Sequence, residues 1–288
     1  MSLTSFVPTP EFAEYKELFS EHFVLERDEA GVIVARAHTR GGPVQMGVEL
    51  HRAFGQLFRT LGSDPNNEVM IFTGTGPTFM MNADTESFRI EREQPAYWSY
   101  EHAFKDGRVN LISLIHDMEI PTIGAINGPT VHSELLLMCD ITICTPETVL
   151  IDPHFVMGAV PGDGIHSCFI ELLGVKRAAY ALLMGQKIDA QQALDWGMVN
   201  EVVPADRLLD RAREIAAHIM KQPRVVRRMT AQVLRRPWKQ RIVDDLDGAF
   251  AMEMQAHLAK GTSIHSDEQA ADVLDDVAGD RKDGVAED

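Results

Sequence analysis

The stretch that decides the fold runs from Pro121 to Gly164, PTIGAINGPTVHSELLLMCDITICTPETVLIDPHFVMGAVPGDG. Thr122 to Ile126 is a short apolar run rich in β-branched residues, and its length and composition suit a buried strand. Asn127-Gly128-Pro129 ends it with a strong turn signal. Leu135 to Met138 continue as a short apolar helix, and Ile141 to Cys144 as a second buried strand. Two loops therefore leave the ends of buried elements, and both carry titratable groups. His132 lies in the first loop; Asp152, His154 and Asp163 lie in the second. Polar side chains on loops held by an apolar scaffold are where chemistry is usually placed.

Upstream, His22 to Glu26 and Gly31 to Ala37 read as a β-hairpin around Asp28-Glu29-Ala30-Gly31. Residues 1–20 form a loosely attached lead-in. A helix spans about Met46 to Leu61, with Leu50, Phe54, Leu57, Phe58 and Leu61 at helical spacing and His51 near its start. Val69 to Thr73 is a further buried strand. The Gly74-Thr75-Gly76-Pro77 turn after it completes neither GxxxxGK[ST] nor GxGxxG, so it is not read as a phosphate loop. Residues 85–96 are charged and irregular, a candidate mobile flap, and Tyr97 to Met118 reads as a long helix. Downstream, two helices meet at Gly174, Asp189 caps another, and Val199 to Val203 is a short strand. From Asp206 to about Lys260 the chain is helical and highly charged, with apolar stripes that need a surface to cover. Residues 263–288 are acidic, with few large apolar side chains, and read as a disordered tail. Strands alternate with helices and then give way to helices alone, which makes the fold class α/β with a C-terminal helical segment.

The 288 residues suffice for a full core. With 27 basic against 43 acidic side chains, the net charge is −16, which argues against nucleic acid or an anionic membrane surface as a partner. No apolar run reaches the ~20 residues of a membrane span, and no secretory leader is visible at the N-terminus. Cys139, Cys144 and Cys168 lack CxxC spacing and suit reduced thiols in a cytoplasmic protein. By residue type alone, His51 reads as a partly buried helix histidine, Glu253 as a solvated helix carboxylate and Asp163 as a turn residue between two glycines. Asp152 is assigned no role.

Four motifs in register, GTGPTFMMNAD, PTIGAINGPTVHSELLLMCDI, DPHFVMGAVPGDG and LLMGQKIDAQQALDWGMVNEVVP, resemble the crotonase (enoyl-CoA hydratase/isomerase) superfamily over roughly residues 20–260. The resemblance implies a spiral of ββα turns over residues 21–205 and a C-terminal helical trimerisation segment over 206–262. It implies a homotrimer or dimer of trimers, and an oxyanion hole made by the backbone N–H groups of Ala83 and Val131. In hydratases of the superfamily, a Gly-rich run after the Asn-Gly turn precedes a catalytic Glu. Here that loop is shorter and carries His132; Glu134 aligns with the hydratase carboxylate, and His154 replaces the second one.

That set is similar to the β-diketone hydrolase branch of the superfamily, whose polar positions match His51, His132, His154, Asp163 and Glu253. Where the type enzyme of that branch has a substrate-holding tryptophan, this chain has Met46, which cannot donate a hydrogen bond. The resemblance thus implies retro-Claisen hydrolysis of a small cyclic 1,3-diketone. His154 would take a proton from water and Asp163 would orient it, as in a serine-protease triad. His132 would stabilise the enolate alongside the backbone donors, with His51 and Glu253 completing the polar wall and Met46, Met81 and Phe155 touching substrate. No cofactor and no metal is expected, although three histidines could ligate zinc by type. The alternatives are an acyl-CoA hydratase or isomerase using Glu134, and a non-catalytic oligomeric scaffold.

Overall fold

The computed structural model describes Thr9 and residues 11–260; the acidic tail at 263–288 lies outside them. The described residues contain ten strands: β1 (Phe23–Arg27), β2 (Val32–Ala37), β3 (Val44–Met46), β4 (Val69–Gly74), β5 (Phe79–Ala83), β6 (Thr122–Ile126), β7 (Ile141–Cys144), β8 (Val149–Leu150), β9 (Ile188–Asp189) and β10 (Glu201–Val202). Six form the main sheet, in the order β1-β2-β4-β6-β7-β10. The β1–β2 hairpin is antiparallel and every later pairing in this sheet is parallel. Parallel neighbours require crossovers, and the intervening helices supply them. A second layer pairs β3 with β5 and β8 with β9; Thr130 bridges Phe79 and Leu150 between them.

The helix Val48–Ser63 buries the apolar stripe read from its spacing: Leu50, Phe54, Leu57, Phe58 and Leu61. Phe54 stands edge-on to Phe23 and Phe72, and Phe72 to Phe79, so one aromatic layer joins helix, hairpin and both sheets. On the opposite face of the main sheet, Leu208, Ala212 and Ala216 of helix Leu208–Met220 cover Val34, Ile71, Ile123 and Ile143. At least this part of the charged C-terminal region covers the chain's own sheet. The Gly174 break is present: its φ of 72° and ψ of 160° interrupt the run Ile165–Met184.

Two segments differ from expectation. From residue 11 on the lead-in is not loose: Phe12–Leu18 is helical, and buried Tyr15 donates to Asp64 at 2.7 Å while Arg27 reaches the same carboxylate at 2.6 Å. Those partners are distant in sequence, so no local signal marks the attachment. The candidate flap is not irregular either. Helical turns occupy Arg89–Glu93 and Pro95–Tyr97, followed by a π-helical turn at Trp98–Phe104, and Phe88 and Glu91 are buried.

At the base of β6, Arg235 is 1% exposed. It donates to both oxygens of Asp140, to the carbonyls of Met118 and Ile120, and to Thr122 Oγ1. Asp140 in turn accepts from the Thr122 N–H at 2.8 Å. A buried guanidinium is tolerated because its donors are so fully used. It locks the start of the strand whose far end opens into the site.

Candidate active site

Two loops and one remote helix converge beyond the C-terminal ends of β6 and β7. The Asn127-Gly128-Pro129 turn leads to His132 and Glu134; the stretch after β8 brings Asp152, His154 and Asp163; helix Asp247–Lys260 adds Glu253. The last approach is close. A Cβ at Gly162 would lie 2.2 Å from the Ala249 carbonyl oxygen, so only glycine lets the Asp163 loop lie against that helix. The Gly162 N–H donates to Glu253 Oε2 at 3.1 Å.

His132 and His154 face each other edge to face, with ring centroids 6.0 Å apart. His132 Nδ1 lies 3.3 Å from both Glu134 Oε1 and Asp163 Oδ2. His154 Nδ1 lies 2.5 Å from Asp152 Oδ1, while its Nε2 faces Asp163 Oδ2 at 3.9 Å and Glu253 Oε1 at 3.8 Å. This corrects the expected dyad. At 3.9 Å Asp163 does not hydrogen-bond His154; Asp152, assigned no role from sequence, holds the imidazole, and Asp163 is paired with His132. His51 is the third histidine. Its Nδ1 lies 2.9 Å from the His102 carbonyl, which can only accept, so Nδ1 carries the proton and Nε2 is an acceptor.

Burial and charge set opposite protonation states within a few ångströms. Burial alone would lower His132, but Glu134 and Asp163 outweigh it and raise its pKa to about 10. Burial also works against the charged form of His154, yet Asp152 and Asp163 raise its pKa well above the ordinary imidazole value. Burial lowers His51, which is therefore neutral near pH 7. Asp163 is lowered because His154 and His132 overcome its desolvation. Burial raises Glu253 to about 8 despite His154, and burial together with Asp163 raises Glu134. Glu134 Oε2 and Asp152 Oδ2 are buried with no hydrogen-bond partner among the described residues.

A cavity of about 20 Å³ lies between His51, His132, Glu134, Asp163, Met46 and Met80, room for about one water. Met80, buried and non-glycine, has a φ of +51°. This left-handed backbone costs roughly 1–2 kcal/mol, the kind of local strain that clusters at functional sites. Beyond Met80, Asp84 N–H donates to the Met46 carbonyl at 2.7 Å, so the alternating ladder turns the Ala83 N–H away from β3. Val131 is buried in the first loop. Two expected substrate contacts lie elsewhere. Met81 packs with Val131 and Ile151 in a separate apolar cluster. Phe155 is half exposed and lines neither this cavity nor its larger neighbour. The signal for Asp152 was the D-P-H spacing itself, a carboxylate two residues before an imidazole on one loop.

Among the described residues, two groups have ligand atoms close enough for a cation: His132/Glu134/Asp163 and His154/Asp163/Glu253. Asp152 on His154 Nδ1 is also the usual partner of a metal-bound histidine. His154 Nε2 faces the carboxyl groups of Asp163 and Glu253, with an imidazolium at His132 to receive negative charge.

On the other side of the first turn of helix Val48–Ser63 lies a cavity of about 870 Å³, lined by Gln45, Gly47, Val48 and Leu50, whereas Met46 and His51 line the small one. Its walls carry the carboxyl groups of Glu21, Glu49, Asp84, Glu86 and Glu93 and the guanidinium groups of Arg40 and Arg89. Arg40 pairs with Asp84 at 2.7 Å and Arg89 with Glu93 at 3.4 Å.

With this geometry in view, the chain can be compared with known proteins. A β-diketone hydrolase from the cyanobacterium Anabaena sp. PCC 7120, solved bound to (S)-3-oxocyclohexyl acetic acid, is 33% identical; the match covers 89% of this chain and all of that one, with a TM-score of 0.81. An enoyl-CoA hydratase/isomerase from Mycobacterium paratuberculosis shares the fold at 22% identity and a TM-score of 0.76, over 89% of this chain and 98% of that one. Carnitinyl-CoA dehydratase of Citrobacter koseri is 31% identical over 168 residues, 58% of this chain; the match spans 62% of the length of that curated relative. The enoyl-CoA hydratase/isomerase family model matches residues 31–268. With most of its length inside that match, and with the two-layer sheet and site loops described above, the chain belongs to the enoyl-CoA hydratase/isomerase family of the crotonase superfamily.

Proposed function

We propose that this enzyme hydrolyses the C–C bond of a small cyclic 1,3-diketone by a retro-Claisen reaction. The observation that carries this reading is the pairing of His154, held at Nδ1 by Asp152, with an imidazolium at His132. His154 Nε2 takes a proton from water as the water oxygen bonds to one carbonyl carbon. The bond from that carbon to the central carbon then breaks, and its electron pair forms the enolate of the second carbonyl. His132, with the N–H groups of Ala83 and Val131, stabilises the developing oxyanion. The proton on His154 passes to the central carbon, giving a ketone and a carboxylic acid. Glu253, protonated below about pH 8, and neutral His51 orient water and substrate. The cavity holds only about one water, so a diketone ring displaces Met46 and Met80, whose side chains repack easily. A stripe of exposed apolar residues, Val225, Met229 and Val233, suits the homotrimer implied by the family.

The walls of the large cavity favour a free neutral substrate over a coenzyme A thioester. Five carboxyl groups stand against two guanidiniums already paired with acids, a poor reception for phosphates. A coenzyme-A-dependent reaction is the second reading, supported by the likeness to carnitinyl-CoA dehydratases and by Glu134, whose free Oε2 lies in the cluster. Turnover of a non-enolisable cyclic 1,3-diketone and of crotonyl-CoA separates the two. Diketone cleavage without crotonyl-CoA hydration is expected; the reverse would transfer the assignment to Glu134.

A further inference from the structure

Glu91 and His257 form a buried pair, 2% and 4% exposed, with Nε2 and Oε1 2.5 Å apart. They are 166 residues apart in sequence and join two different walls of the site. Glu91 belongs to the segment 84–104. That segment is also fastened at Ser87, whose Oγ accepts from the Val48 N–H at 2.7 Å, and at His102, whose carbonyl fixes the tautomer of His51. His102 lies in the π-helical turn Trp98–Phe104, a wider turn that is frequent at functional sites. His257 stands one helical turn beyond Glu253 on helix Asp247–Lys260, and its ring lies 4.8 Å from that of Trp98. The other ring nitrogen of His257 is buried and has no hydrogen-bond partner among the described residues, so the ring is held by Glu91 and Trp98.

We propose that Glu91 and His257 are positioning residues that bind the 84–104 segment to the helix of Glu253, holding the His51 and Glu253 walls at a fixed separation. Neither touches the site cavity. The pair acts through His102 on one side and through the helix on the other. A substrate that parts Met46 from Met80 works against this clasp, so the pair also sets how far the site can open.

The experiment compares His257→Leu, which removes the hydrogen bond, with His257→Gln, which can still donate from the place of Nε2. Hydrogen exchange is followed across the whole chain, and kcat and KM are measured on a cyclic diketone. The expected result for the leucine variant is exchange about tenfold faster within 84–104 than elsewhere. Its kcat falls about 10- to 100-fold, as misplacement by about an ångström produces, with KM moved less than threefold. The glutamine variant restores both. Uniformly faster exchange, or equal behaviour of the two variants, would overturn the proposal by making the pair ordinary packing. If the leucine variant does not fold, Glu91→Ala is read in its place by the same criteria. The kinetic arm rests on the proposed reaction and the exchange arm does not, so absence of diketone turnover would count against the reaction alone.

Discussion

Two buried charge clusters sit at the two ends of β6 and are built on opposite principles. At the base, each guanidinium nitrogen of Arg235 and each carboxylate oxygen of Asp140 has a partner, in each other, in carbonyls, in a hydroxyl and in a backbone N–H. At the tip, two carboxylate oxygens lack partners among the described residues, and His154 Nε2 faces two carboxyl groups across gaps of 3.8 and 3.9 Å. The saturated cluster has nothing left to offer a ligand and serves the fold. The unsaturated one divides its pKa values between neighbouring groups and suits the proposed chemistry. Buried ionisable groups therefore do not mark a site by themselves; incomplete satisfaction and divided pKa values do.

The largest effect expected is at the tip. His154→Ala should lower kcat for diketone cleavage by about 10²–10⁴, the range for a lost general base, a loss measured on the fully folded variant. At the base the roles reverse. Arg235→Ala strands Asp140 and should cost about 3–5 kcal/mol by chemical denaturation, while the folded fraction keeps its kcat. Equal loss of activity and stability in both variants would erase the distinction.

The pH dependence sharpens it. The raised pKa of His154 leaves little free base at neutral pH, so kcat/KM should climb on the alkaline side instead of levelling near 7. Stability should move the other way. His132 is raised to about 10 in the folded chain, against about 6.5 unfolded. Its stabilisation is complete below the unfolded value and is lost as pH rises through the folded one. Asp163, lowered, contributes in full above about pH 3.9 and loses that contribution on acidification. The melting temperature should thus fall between pH 7 and 10, and His132→Gln should flatten that fall. The smallest effect belongs to the outer cavity. Glu86→Lys with Glu93→Lys should shift stability by no more than about 0.5 kcal/mol, leave diketone kcat unchanged and increase retention on immobilised coenzyme A. Unchanged retention would remove the electrostatic argument against a thioester.

Much of the scaffold was legible because its signals are local. The apolar spacing of helix Val48–Ser63, the Asn127-Gly128-Pro129 turn and the Gly174 break each follow from a few adjacent residues. His132, His154 and Asp163 lie on short loops bounded by turn signals, and the family resemblance singled them out there. Glu253 did not. As an isolated residue it is a surface carboxylate, and only tertiary packing through Gly162 makes it a buried acid, a position that family resemblance supplied. The carboxylate on His154 differs from the expected one because the resemblance, not the residue spacing, supplied Asp163; Asp152 is nearer in sequence and in space. The fastening of Tyr15 to Asp64 and the Glu91–His257 pair were illegible because both halves are ordinary charged or polar helix residues until the chain brings them together.

The most direct test is turnover of a non-enolisable cyclic 1,3-diketone in ¹⁸O-water by the wild type and His154→Ala. The expected result is one ¹⁸O atom in the new carboxyl group, with the rate down at least about 10²-fold in the variant. An intact diketone alongside hydration of crotonyl-CoA, or a variant as fast as the wild type, would contradict the assignment of His154 as the base for C–C hydrolysis.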